Sequence, residues 1–206
     1  MCRNDIVPVV LSAGQSSRMG RDKALLEIGG STAIQKILSD LSEVFGRIHV
    51  VLGENYDEVV SNIALMKYSA EVNCIFNESH HLGMFSSIQK GLASVPKDHP
   101  VLLQMVDQPF IPISIYRELM STYSDEYYVY QPSNDGKAGH PLLLSGEFVR
   151  IVLSYKVTTN LKKIIGNLSK KRKFLEVDCQ GILQNLNTPL DFERAVKDYD
   201  NGNIDS

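Results

Sequence analysis

The chain has 206 residues, of which 43% are hydrophobic and 22% charged, the balance of a globular chain long enough to bury a real core. Its net charge of −3 gives no general attraction to nucleic acid or to an anionic membrane, so a bound polyanion must meet a local cluster of cations and amides. No apolar run approaches the roughly 20 residues that cross a bilayer, and the first one, Ile6–Leu11, is too short for a signal-peptide core, so a cytoplasmic protein without nucleic-acid or membrane partners is expected.

Ile6–Leu11 is continuously apolar, the mark of a strand buried on both faces. Ser31–Phe45 sets Ile34, Ile37, Leu38, Leu41 and Phe45 on one helical face. Ile48–Leu52 predicts a strand, Tyr56–Met66 a helix and Val72–Phe76 a third strand. A helix over Ser86–Val95 precedes a buried strand over Val101–Val106, and Ser114–Tyr123 is helical again. Strands over Tyr127–Gln131 and Leu142–Leu144 are followed by helices over Glu147–Ser154 and Asn160–Leu168. Lys170–Lys173 reads as a solvated turn, ahead of a strand near Phe174–Val177 and a helix over Pro189–Tyr199. This alternation predicts a three-layer, Rossmann-like α/β fold with a mostly parallel central sheet. Residues 1–200 are expected to form one domain and 201–206 a frayed tail.

The three cysteines, Cys2, Cys74 and Cys179, are far apart and form no CxxC pair, which argues against a disulfide framework or structural zinc. The five histidines show no HExxH spacing, and the adjacent His80 and His81 point in different directions. Catalysis by a Ser-His-Asp or Cys-His set has no obvious carrier.

Ligands of open parallel sheets sit beyond the carboxyl ends of the strands. The first such place carries Leu11-Ser12-Ala13-Gly14-Gln15-Ser16-Ser17-Arg18-Met19-Gly20-Arg21-Asp22-Lys23. Small residues at Ser12, Ala13 and Gly14 let backbone amides approach a ligand, and Arg18 and Lys23 add two cations. The spacing is neither a Walker A loop nor GxGxxG; a polar turn with surface cations is the plain alternative. Val101–Val106 runs into Asp107-Gln108-Pro109, which places an acid where a hard cation could bind. Gly83 and Ser87 follow the third strand, with a serine cap on the next helix as the plain reading. Late elements are Gly139-His140-Pro141, Thr158-Thr159-Asn160-Leu161-Lys162 and Asn185-Leu186-Asn187-Thr188-Pro189-Leu190-Asp191. Thr188 followed by Pro189 is also an ordinary helix start.

The pattern L-x-A-G-x-S-x-R-M-G-x-x-K resembles the signature loop of the GT-A-type, MobA-like nucleotidylyltransferases, and the later elements follow in the same order from Val10 to Ala195. The resemblance implies an enzyme that moves a nucleoside monophosphate from an NTP to a phosphate-bearing acceptor and releases pyrophosphate. It implicates Leu11, Ser12, Ala13, Gly14, Arg18, Lys23, Gly83 and Ser87 in nucleotide binding, with Lys23, Arg18 and Asp107 catalytic. Asp107 and Asn187 are the implied ligands of Mg²⁺, and Gly139, His140 and Asn160 the implied acceptor contacts. Asn185 and Asn187 stand where the pattern carries Asp, and Lys162 where it carries Arg. Ser12-Ala13-Gly14 and Gly139-His140-Pro141 resemble the molybdenum cofactor cytidylyltransferase branch, which points to CTP and molybdopterin as substrates, with a molybdoenzyme or its chaperone as a possible protein partner. Guanylyl transfer to the same cofactor, a sugar- or polyol-phosphate acceptor, and a non-catalytic nucleotide-binding accessory protein are the alternatives.

Overall fold

A computed structural model describes residues 5–14, 21–167 and 171–200. In chain order the first half consists of β1 (Val7–Ser12), β2 (Glu27–Ile28), β3 (Ser31–Thr32), α1 (Ala33–Ser42), β4 (Arg47–Leu52), α2 (Tyr56–Ile63), β5 (Glu71–Phe76) and α3 (Met84–Ser94). The second half adds β6 (Val101–Met105), α4 (Ile113–Thr122), β7 (Val129–Asn134), β8 (Lys137–Ala138), β9 (Leu142–Leu144), α5 (Gly146–Ser154), α6 (Leu161–Gly166), β10 (Arg172–Glu176) and α7 (Pro189–Asp200).

The main sheet has the order β10-β7-β9-β6-β1-β4-β5, with β8 on β7. β1 pairs in parallel with β4 and β6, and β4 with β5. Only β9 and β8 run against the rest. The expected three-layer α/β architecture with a mostly parallel sheet is therefore the observed one. The chain crosses from β1 to β4 on one side and returns to β6 on the other, so β1 and β6 flank a topological switch point.

All six positions of β1 are buried. Val10 packs with the α1, α2 and α4 layer, through Ile34, Leu38, Val59, Tyr116 and Leu119. Val9 and Leu11 face the other layer, through Phe85, Ile88, Leu92, Phe148 and Ile164. This two-residue period is what a strand buried on both faces requires. At roughly 1.5–3 kcal/mol per fully buried large aliphatic side chain, these layers supply the main driving force for holding the sheet's upper edge in place.

Local chemistry refines the predicted boundaries. α1 begins at Ala33, because Thr32 caps it: the Gln35 backbone N–H donates to Thr32 Oγ1 at 3.4 Å, and the Thr32 N–H to Gln35 Oε1 at 3.0 Å. Ser31 and Thr32 instead form the small antiparallel pair β2–β3, too short to show alternation. The serine cap expected on α3 is not formed. The helix starts at Met84 with Gly83 at the cap, and Ser86 and Ser87 lie inside it. Of the basic run 170–173, expected as a turn, Arg172 and Lys173 instead open β10, and Lys170 lies outside the described residues. An edge strand tolerates such cations because one side faces solvent, and they discourage pairing with another chain.

Candidate active site

The Ser12–Gly14 segment leaves β1 at the switch point, and the Val106 N–H donates to Leu11 O at 3.1 Å, which holds the end of β6 beside it. Over these strand ends lies a cleft of about 370 Å³ lined by Leu11, Ser12, Ala13, Gly14, Lys23, Gly83, Ser87, Asp107 and Asn187. Nine positions that the sequence scatters over the chain thus meet in one place. Arg18 lies outside the described residues.

Lys23 is the hub. Its Nζ donates to Asp107 Oδ2 at 3.1 Å and to Asn187 Oδ1 at 2.8 Å, and the Lys23 and Asp107 side chains are each only 18% exposed. Asp22 fixes the segment that carries it. Asp22 Oδ1 accepts from the Ala24 N–H at 2.9 Å, and Oδ2 from Asn55 Nδ2 at 2.8 Å. Asn187 arrives by a separate anchor: the Leu186 N–H donates to Asp107 O at 2.8 Å, and Leu186 is fully buried. Thr188 then caps α7, with the Asp191 N–H on its Oγ1 at 3.2 Å and the Thr188 and Asn187 N–H groups on Asp191 Oδ2. The Thr188 hydroxyl first, and then the Thr188 and Asn187 N–H groups, hold the Asp191 carboxyl below the usual carboxylate range.

Asp107 Oδ1 and Ser12 Oγ are buried in the same place without a hydrogen-bond partner. One carboxylate oxygen and one amide oxygen suit a hard cation that completes its shell with waters and substrate phosphates. Among the described residues no cluster of three or more His, Cys, Asp or Glu offers an all-protein metal cage. The donor set therefore fits a hard divalent cation bound together with a nucleotide, and fits zinc poorly.

Gly83 has φ +94° and ψ −179°, a conformation essentially restricted to glycine, and turns the chain into α3 at the cleft wall. Ser87 Oγ accepts from Asn77 Nδ2 at 3.0 Å, and Asn77 also holds Ser86. His80 joins the wall. An added Cβ on Gly53 would stand 3.2 Å from the His80 ring, so a small residue there lets the loop after β4 close on it.

A second cavity of about 750 Å³ adjoins the first, with Met84 and Met105 lining both. His140 and Asn160 line it, as do Gln131, Lys162 and Arg172 over an apolar floor that includes Phe85, Ile88 and Leu103. Burial pushes the His140 pKa down, against the pull of Asp107, so the ring is neutral at pH 7. Asn160 Oδ1 caps α6 through the Lys163 N–H at 2.8 Å. Gly139 is placed differently. It packs against Ile182, whose carbonyl oxygen would lie 2.5 Å from an added Cβ, and it is not among the lining residues. Its contribution is close packing that sets His140 in position.

Sequence reasoning missed Asp22, Asn55, Asn77, His80 and Arg172. Asp22 carried a signal as the polar residue before a short turn. Asn55, His80 and Arg172 act through partners far along the chain, and Asn77 through Ser86 and Ser87 across a turn, which no local pattern announces.

A nucleotidyl transferase from Methanothermobacter thermautotrophicus superposes with a TM-score of 0.80 at 22% identity, covering 95% of this chain and 98% of that one, which establishes the shared fold. A model of the MobA-like NTP transferase domain matches residues 8–172, and the chain belongs to that family. The molybdenum cofactor cytidylyltransferase of Escherichia coli is 25% identical over 93% of this chain and 95% of its own length. A probable molybdenum cofactor guanylyltransferase of Natranaerobius thermophilus is 23% identical over 94% and 96%.

Proposed function

We propose that this enzyme transfers CMP from CTP to the phosphate of a molybdopterin-type acceptor and releases pyrophosphate. The observation that carries the reading is the Lys23–Asp107–Asn187 cluster at the switch point, with a second cavity opening directly beside it. The amides of Ser12–Gly14 and the Lys23 ammonium hold the triphosphate, with Arg18 assigned to the same loop by the family resemblance. Gly83 and Ser87 contact the base. Asp107 and Asn187 would hold Mg²⁺, which would supply charge neutralisation. The acceptor lies in the second cavity against His140 and Asn160.

An acceptor phosphate oxygen attacks the α-phosphorus in line, a new P–O bond forms, and the bond to the pyrophosphate oxygen breaks. No general base is required, because a phosphate monoester with a second pKa near ~6 is already ionised at pH 7. The chain's work is positioning and charge stabilisation. Lys23 stabilises charge on the α-phosphate and on the departing pyrophosphate. The neutral His140 offers a hydrogen bond without adding charge.

Guanylyl transfer is the second reading, favoured by Asn185 and Asn187 in place of Asp. Pyrophosphate release with each of the four NTPs, magnesium and molybdopterin separates the two. Acceptor-dependent release that is selective for CTP is expected. Selectivity for GTP would move the enzyme to the guanylyl branch, and nucleotide binding without release would point to another acceptor or to a non-catalytic role.

A further inference from the structure

The second cavity extends well beyond the nucleotide cleft. Arg172 pairs with Val129, Val129 with Leu144, and Leu144 with Val101, so Arg172 starts in the row at the amino end of β6. Met105, at the cleft, is four residues further along β6, about 13 Å at the usual strand rise. The cavity therefore runs along one face of the sheet, with Met105 at its near end and Arg172 reaching in from the far one.

Arg172 is held there in a defined orientation. One guanidinium N–H donates to Gln131 Oε1 at 3.2 Å, and the guanidinium carbon stands 4.3 Å from the Phe174 ring centroid. Gln131 Nε2 is committed to Gly139 O at 2.7 Å, which fixes the amide so that its oxygen faces Arg172. The ion pairs found among the described residues involve other cations, so the fork keeps N–H donors for a ligand. Phe85, Ile88 and Leu103 supply apolar contact surface nearby.

We propose that Arg172 is a specificity-determining residue of the acceptor site, whose guanidinium fork reads the carbonyl edge of a flat bicyclic lactam. The assignment rests on the acceptor reading above. Apolar side chains cover the ring faces, the acceptor phosphate lies at the Met105 end, and the fork meets the opposite end. A guanidinium only donates, so it accepts a ring carbonyl and rejects an amino group in the same place.

The test uses the intact protein with CTP and magnesium. The probe is free pterin, the 2-amino-4-oxo ring without phosphate, followed by its own fluorescence. 2,4-Diaminopteridine, which carries an amino group in place of the carbonyl, is the control. Unmodified protein should bind pterin in preference to the control. Arg172→Ala should weaken pterin binding about 10- to 100-fold, the discrimination a bidentate arginine gives at a heterocycle edge, and leave CTP affinity unchanged. Arg172→Lys keeps the charge without the fork and should recover little of the loss. Equal pterin affinity in Arg172→Ala, full recovery in Arg172→Lys, or no preference over the control would each overturn the assignment. Failure of the unmodified protein to bind pterin, with CTP-dependent pyrophosphate release onto another phosphate acceptor, would overturn the acceptor reading itself.

Discussion

At the residue scale, Lys23 and Asp107 make the sharpest demands. Asp107→Ala should abolish magnesium-dependent pyrophosphate release while leaving the circular dichroism spectrum unchanged. Lys23→Ala should slow saturated turnover on the order of 10²–10³-fold, as loss of one preorganised charge contact does. A fall in CTP affinity alone, with turnover preserved at saturation, would make Lys23 a ground-state binder. His49 gives a test in pH. It is buried with its Nδ1 2.8 Å from Ser94 Oγ, and burial first, then Arg47, pushes its pKa down. Its neutral form is the folded one, so the unfolded chain takes up the proton more readily. Stability is intact above the unfolded pKa, near ~6.5, and is lost as pH falls through that value toward the folded one. Denaturant melts from pH 7.5 to 5.5 should show this decline, and His49→Gln should flatten it, with His140 contributing in the same direction.

At the element scale, Gly83 couples a turn to the site. Its φ of +94° with ψ near 180° admits no Cβ without strain, so Gly83→Ala should cost about 1–3 kcal/mol of stability. The KM for CTP should rise with it, because Ser87 and the cleft wall follow from that turn. The central elements were legible in the sequence for a physical reason. β1 and β6 are buried on both faces and read as apolar runs, that of β6 interrupted by the buried Gln104, so the loops at their ends, with Ser12–Gly14 and Asp107, could be located by rule. The sheet margins were not legible. β8 and the β2–β3 pair have two residues per strand, and β10 begins with Arg172 and Lys173, a composition that local pattern assigns to solvent. Pairing to β7 overrides that preference, which is why Arg172 was missed. Asn187 had only the family resemblance to point to it. The bond from Leu186 to Asp107 that places it joins residues far apart in the sequence and leaves no periodic trace.

At the scale of the whole molecule, one sheet carries both cavities, and every described strand except β2 and β3 takes part in it. We propose that residues 1–200 unfold as a single cooperative unit. Calorimetry should show one transition, with calorimetric and van't Hoff enthalpies equal, and two separated transitions would divide the chain. CTP with magnesium should raise the midpoint, since a ligand at 100 times its Kd adds about 2.7 kcal/mol. The wall shared by the two cavities has a chemical consequence of its own. Met84 is 61% exposed and, like Met105, faces both. Oxidation turns a thioether into a polar, chiral sulfoxide. One oxygen atom added at Met84 would therefore roughen the seat of both substrates at once. Mild peroxide should raise the KM for nucleotide and acceptor together, methionine sulfoxide reductase should restore both, and Met84→Leu should blunt the loss. Oxidant sensitivity in this enzyme would then reside in a methionine and be repaired by a reductase, with neither Cys74 nor Cys179 involved.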